Sequence, residues 1–446
     1  MDIKDTKNNI MSLSIESMSE YIDDNKDDNK NEEFKIVKER KELFPNCVYH
    51  SFKTPLLINS AKDQYYNNDI LDLYNNVCHI GHSNEKVLET VKREYETVNI
   101  NTRYLNKNLQ EYATCLLKYL SHLPNKYKII FVNSGSEAND LALKISLSYR
   151  NSIDYPKFIS LKNSYHGTTY LCDIVSNLYS SGKPKDKLNN IDNSNNYVKF
   201  IQPNNIQDLD NLFGNNENNC KSISSLIIES IQGVGGNIPL DKDYIVKLFE
   251  YADQNKIIKI CDEVQTGFGR TGYSFWAFDY YNDYYNDYND YKNNNNLNII
   301  PDIITCGKPI ANGYPMGAVI IKSELCDLLG SYYFNTFGGN SVACAVAKTV
   351  LEEIEEKNLI ENSKNIGDYL IEELEKINKV INISGRGLYI GFNLLDKNEV
   401  EIVELLKDNK IIVGIGKDNR IRIKPPIIVT KENIDHFLFT LKNIIN

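Results

Sequence analysis

The residues best suited to chemistry fall directly after short apolar runs. Lys308 follows Asp302–Cys306 and stands between Gly307 and Pro309. A lysine at the end of a buried strand is desolvated, which favours the neutral amine, the form that attacks a carbonyl. Asp262 closes the run Ile257–Asp262, and Glu263 follows it. After Lys128–Val132 comes Asn133-Ser134-Gly135-Ser136-Glu137-Ala138-Asn139 at the start of a helical pattern. Gly135 and Ser136 there offer backbone N–H groups, a hydroxyl and the positive end of a helix, a site suited to phosphate. The same letters also read as a serine N-cap with a glycine turn. Tyr165-His166-Gly167 follows Lys157–Leu161 and supplies an aromatic face or a plain turn, in a chain with 30 Tyr. The glycine-dense stretch Glu229–Gly236 follows Ser225–Ile228 and either brings backbone close to a ligand or forms a flexible loop.

Taken together these groups match what pyridoxal 5'-phosphate requires. That cofactor needs an amine for its aldehyde, a carboxylate for its ring nitrogen, a flat face and an anion site. Lys308, Asp262, Tyr165 and the Gly135-Ser136 turn supply them in that order. Asp262 would keep the ring nitrogen protonated, and Lys308, once displaced by substrate, is the natural base for the substrate Cα–H. Two competing readings fall. The acids after Ile257–Ile260 lack a G-x-x-x-x-G-K-[ST] loop elsewhere, so a nucleotide-hydrolysing site is not indicated. Gly267–Gly272 spells G-x-G-x-x-G, but it follows an acidic loop and leads into Tyr273-Ser274-Phe275-Trp276 instead of a helix.

The elements that must position these residues alternate. Strand-like runs at Lys128–Val132, Lys157–Leu161, Val198–Ile201, Ser225–Glu229, Ile257–Asp262, Asp302–Cys306 and Gly317–Ile321 are separated by helical patterns such as Ala138–Tyr149 and Tyr244–Asn255. This rhythm predicts an α/β domain with a mostly parallel sheet over 91–340. In such sheets ligands bind beyond the carboxyl ends of the strands. From Ser341 the pattern becomes α+β, with helices at Ala343–Lys357 and Glu361–Ile377, short strands around Gly385–Leu394 and Ile411–Ile423, and a helix after Thr430. A smaller domain over 341–446 is expected, with the N-terminal segment 34–90 as its companion. Residues 1–33 read as a disordered tail, and the Tyr/Asn/Asp tract 280–298 as a surface insertion.

Composition narrows the class. The 446 residues carry 50 Lys+Arg against 60 Asp+Glu, a formal charge of -10, which argues against general nucleic-acid binding. No apolar run is long enough to cross a bilayer. The polar, acidic N-terminus resembles neither a secretory signal nor a mitochondrial presequence, so a cytoplasmic location is the expectation. Nine Cys without a C-x-x-C pair read as reduced thiols, and the six His show no zinc-ligand spacing.

Over roughly Phe34–Asn446 the chain resembles the class III pyridoxal-phosphate-dependent aminotransferases of fold type I. The match is carried by NSGSEAND (Asn133–Asp140), YHG (Tyr165–Gly167), ESIQGVGG (Glu229–Gly236), CDEVQTGFGRTG (Cys261–Gly272), PDIITCGKPIANGYPMGA (Pro301–Ala318) and FNTFGGN (Phe334–Asn340). The resemblance implies that Lys308 is the Schiff-base lysine and Asp262 the partner of the ring nitrogen. It implies that Gln265 contacts the cofactor's ring hydroxyl, that Tyr165 stacks, and that Gly135 and Ser136 hold the phosphate. It further implies that Thr336 reaches the cofactor phosphate of a neighbouring subunit, hence a homodimer with shared sites. Arg422, three residues before Pro425, matches the family arginine that holds a substrate carboxylate.

Two subgroups compete. Thr266, Val234 and Asn312–Met316 look like the alanine–glyoxylate aminotransferase 2 group, so amino transfer from a small amine or amino acid to a 2-oxo acid is the leading expectation. Asn75–Val77, Gly81-His82, Asn101–Leu105 and Gly307-Lys308-Pro309 resemble the ethanolamine-phosphate and phosphohydroxylysine phospho-lyases, which eliminate phosphate and ammonia with the same cofactor. Val234 stands where the family's acid is usual, which speaks against an ornithine-type dual-substrate switch. A substrate phosphate would need further cations, for which Arg103, Arg420 and Lys424 are candidates. The presence of both Lys308 and Asp262 speaks against a catalytically silent scaffold.

Overall fold

A computed structural model describes residues 32–446 except 46–47, 49, 151–156, 179–196, 215–219 and 283–298. Most of the expected tail and of the Tyr/Asn/Asp tract therefore lies outside the described residues. Glu32 and Glu33, assigned to the tail from sequence, instead open a helix, Glu32–Leu43. Two carboxylates in its first turn meet the positive end of that helix.

The central sheet holds β1 (Tyr127–Val132), β2 (Lys157–Leu161), β3 (Val198–Ile201), β4 (Ile223–Ile228), β5 (Ile258–Asp262), β6 (Ile303–Cys306) and β7 (Gly317–Lys322). Their order is β1-β7-β6-β5-β4-β2-β3, and only β7 runs against the rest. Every residue of β4, β5, β6 and β7 is buried, because helices cover both faces. Successive side chains divide between two cores. Ile260, Ile303 and Ile321 meet Ala138, Ala142 and Ile145 of α1 (Gly135–Tyr149). Cys261, Ile304 and Ile320 meet Val342, Val346 and Val350 of α2 (Ser341–Glu356) on the other face. This is an α/β architecture, and the alternation is that of a pleated strand.

The chain ends meet. Ile70–Asp72 pairs in parallel with Ile411–Ile412, and the Leu73 carbonyl accepts from Lys424 N at 2.8 Å. The hairpin Val380–Arg386/Tyr389–Leu394 continues through Ile421–Ile423 to Gly414–Ile415. A helix at Glu399–Asp408, which the sequence reading did not include, is capped by the Asn398 side chain. The final helix, Lys431–Ile445, starts with a reciprocal Thr430/Asn433 cap. Two glycines of the G-x-G-x-x-G lookalike have positive φ and abut the helix Leu359–Glu375. A Cβ on Gly269 would meet Ile360, and one on Gly272 the Lys364 backbone. That loop is a packing turn. The eight described cysteines are free thiols.

Candidate active site

β1, β2, β4, β5 and β6 all deliver their carboxyl ends to one edge of the sheet, and β7, running the other way, delivers its amino end there. The resulting cleft has a volume of about 270 Å³ and is lined by Gly135, Ser136, Tyr165, Asp262, Gln265 and Lys308, with others. Six of the eight residues named from sequence are thus brought together. Thr336 and Arg422 are not on this wall.

Asp262 is the most heavily supported group. Its Oδ2 accepts from Asn139 Nδ2 and from His166 Nδ1, both at 2.8 Å, and its Oδ1 accepts from Val264 N at 3.0 Å. Asn139 comes from α1. It also donates to the His166 carbonyl at 2.8 Å and accepts from Thr305 Oγ1 of β6 at 2.5 Å. Three elements therefore fix one carboxylate, which is what a single-geometry contact to a ring nitrogen demands. His166 Nε2 is buried without a partner among the described residues.

Lys308 opens a short 3-10 turn, Lys308–Ala311, directly after β6. Burial pushes its amine below the ordinary lysine range, and the charges of Asp262 and Glu229 oppose that. Burial outweighs them, so the shift is downward. Glu229 is itself buried and raised to about 7, chiefly by desolvation. Its two oxygens accept from Tyr165 N at 3.1 Å and Gly233 N at 3.0 Å, tying the aromatic loop to the glycine loop.

At the phosphate-type end, the Ser134 side chain caps α1 by accepting from Glu137 N at 3.1 Å. Ser134 is the cap, while Gly135 and Ser136 line the cleft. First-turn amides of a helix have no intrahelical partner and are free to meet an anion. The strand ends pack without room for side chains. A Cβ on Gly307 would sit 2.9 Å from Gly135 Cα and N, and one on Gly135 would sit 2.6 Å from Val264 Cγ1. Gly307→Ala should displace both Lys308 and the α1 start, at a strain of about 1–3 kcal/mol. Cofactor affinity, measured by fluorescence titration, is expected to drop roughly ten- to a hundredfold.

The basic candidates separate cleanly. Arg103 is exposed and lies over the Phe334 ring at 4.0 Å from the centroid. Arg420 is spent on Gly236 O, Asn382 O, Gly391 O, Asn393 Oδ1 and Ser384 Oγ. Lys424 is buried and donates to Gln265 Oε1 at 2.9 Å. Arg422 is buried too, donating to Gly233 O at 3.0 Å, Tyr74 Oη at 2.7 Å and Ile415 O at 2.6 Å, while its Nε has no partner among the described residues. Asn139, Thr305 and the Glu229 bridge are the parts of the site that sequence reasoning did not assign.

An amine, a fixed carboxylate, an aromatic side chain and a helix start around one cleft fit pyridoxal phosphate, and the fold is that of the type I enzymes using it. The description Aminotransferase class-III matches residues 63–445. The chain belongs to this family and is a pyridoxal-phosphate-dependent enzyme. It is 31% identical to a Caenorhabditis elegans protein named ethanolamine-phosphate phospho-lyase homolog 1, covering 90% of each chain. It is 30% identical to the Arabidopsis thaliana alanine–glyoxylate aminotransferase 2 homolog 2, mitochondrial, covering 90% of this chain and 85% of the other. Among solved structures, an Arthrobacter phospholyase in complex with phosphoethanolamine superposes with a TM-score of 0.76 at 26% identity, over 92% of this chain and 98% of that one. No described helix is long and apolar enough to cross a membrane.

Proposed function

We propose that this enzyme eliminates phosphate and ammonia from a small phosphorylated amine such as ethanolamine phosphate. The observation that carries the reading is a surplus of buried cations around Lys424, which donates to Gln265. Lys424, Arg422 and Arg270 are all buried, and among the described residues their hydrogen bonds go to amide, hydroxyl, imidazole and carbonyl groups, not to carboxylates. Glu229 is the acid that opposes the charge of Lys424. Such a surplus suits a dianionic substrate better than a monoanionic amino acid. The names of the Caenorhabditis and Arthrobacter proteins support the same reading. Amino transfer, the leading expectation from sequence, is the second reading. It is favoured by the presence of Arg422, which would have to release Gly233 O and Ile415 O to offer a carboxylate a two-pronged contact.

Pyridoxal phosphate, when bound, supplies an electron sink for the bond broken at the substrate carbon. Lys308 would hold the cofactor and then move the proton at the substrate Cα through Nζ. Asp262 would hold the proton on the ring nitrogen, with Asn139 and His166 fixing its oxygen. Gln265 would meet the ring hydroxyl, Gly135 and Ser136 the phosphate, and Tyr165 the ring face. Thr336, which is exposed, would serve the site of a second copy in a homodimer, and a cytoplasmic location belongs to the same reading.

The test offers ethanolamine phosphate alone, and separately alanine with glyoxylate, to the cofactor-loaded protein. Phosphate release at a rate at least tenfold above amino transfer is expected. Amino transfer without phosphate release would hand the assignment to the second reading.

A further inference from the structure

Gln265 is held in one orientation from three sides. Its Oε1 accepts from Asn76 Nδ2 at 2.8 Å, Lys424 Nζ at 2.9 Å and Tyr389 Oη at 3.2 Å. Two of these partners are reversible, since an amide can turn over and a hydroxyl can accept. A lysine ammonium cannot, because it carries donors only. In its protonated form Lys424 therefore admits only an oxygen opposite it. The N–H groups of Gln265 are left as what this side chain offers to the cleft it lines.

Lys424 has no evident structural return for its position. Its Nζ lies 4.8 Å from the Tyr74 ring centroid and 5.7 Å from that of Tyr389. Arg422, Arg270 and Lys308 face it with like charge, and Glu229 is the facing acid. Burial first, and then those three cations, push it well below the ordinary lysine range. A buried cation without a carboxylate partner costs stability, and an apolar chain of the same length would fill the space. Negative charge arriving in the cleft is the kind of neighbour that keeps it protonated.

We infer that Lys424 is a positioning residue for the cofactor: it locks Gln265 so that amide N–H groups, not the oxygen, meet the cofactor's ring hydroxyl, and it places positive charge behind that contact. The inference rests on Gln265 being the residue that meets that hydroxyl. It is independent of whether the enzyme eliminates phosphate or transfers an amino group.

The experiment follows the visible absorbance band of the holoenzyme against pH for wild type, Lys424→Met, Lys424→Gln, Gln265→Leu and Lys424→Met/Gln265→Leu. Donors and positive charge at the ring oxygen favour its ionised form. Their loss in Lys424→Met should raise the pH midpoint of the band by about one unit, a tenfold change in proton affinity. Lys424→Gln keeps a donor for Oε1 without the charge and should shift the midpoint by less. The double variant should shift by less than the sum of the two single shifts, because part of the lysine's effect acts through the glutamine. The Lys424→Met melting temperature should be equal to or above that of wild type. An unchanged midpoint in folded, cofactor-loaded Lys424→Met and Lys424→Gln would overturn the inference. So would additive shifts in the double variant, which would make the lysine independent of Gln265. A wild type without any visible band would instead refute the cofactor assignment itself.

Discussion

Lys308→Ala is expected to remove the yellow colour of the loaded enzyme and to lower turnover by at least about 10⁴-fold. The size follows from two losses at one atom. The amine that holds the cofactor disappears, and so does the base for the substrate proton, which alone accounts for about 10²–10⁴-fold. The nearest acids are poor substitutes. Both Asp262 oxygens are engaged by Asn139, His166 and Val264, and the Glu229 oxygens accept from Tyr165 and Gly233. Stopped-flow turnover beside an absorbance scan checks both losses. Wild-type-like multiple turnover in the variant would remove Lys308 from the chemistry.

Asp262→Asn is expected to lower turnover about 10²–10³-fold at saturating cofactor, the scale on which a fixed charge contact acts. The geometry explains why so small a change matters. Asn139 Nδ2 and His166 Nδ1 both donate to Oδ2, so an asparagine would turn its one carbonyl oxygen toward them. Its NH₂ would then face Val264 N–H and the cofactor's ring nitrogen, setting donor against donor. The charge is lost, and the hydrogen bond is reversed as well. Turnover within tenfold of wild type would show that the Asn139–His166–Asp262 cluster only supports the fold.

The chemistry-bearing residues were legible because each ends an apolar run. Asp262 closes β5 and Lys308 opens the turn after β6, and the rule that parallel strands present ligands at their carboxyl ends places both in one cleft. The supporting shell gave no such sign. Asn139 and Thr305 lie inside an ordinary helix and an ordinary buried strand, and only the sheet order brings them to Asp262. Lys424 and Gln265 are 159 residues apart. Charge inventory offered Arg103, Arg420 and Lys424 as equals, yet packing sends the first outward, spends the second on backbone carbonyls and buries the third. The helix Glu399–Asp408 was readable in principle, since Asn398 caps it and Ile402, Val403 and Leu406 recur at helical spacing. The parallel pairing of Ile70–Asp72 with Ile411–Ile412 left no local trace, because register between distant short strands is set by the assembled core.

The central claim is that one buried lysine carries the cofactor. Borohydride reduction of the loaded, full-length enzyme fixes the cofactor onto the amine that holds it, and peptide mass spectrometry then locates the label. A single phosphopyridoxyl adduct on Lys308 is expected, absent from Lys308→Ala. An adduct on Lys424 or on a surface lysine, with Lys308 unmodified, would contradict it.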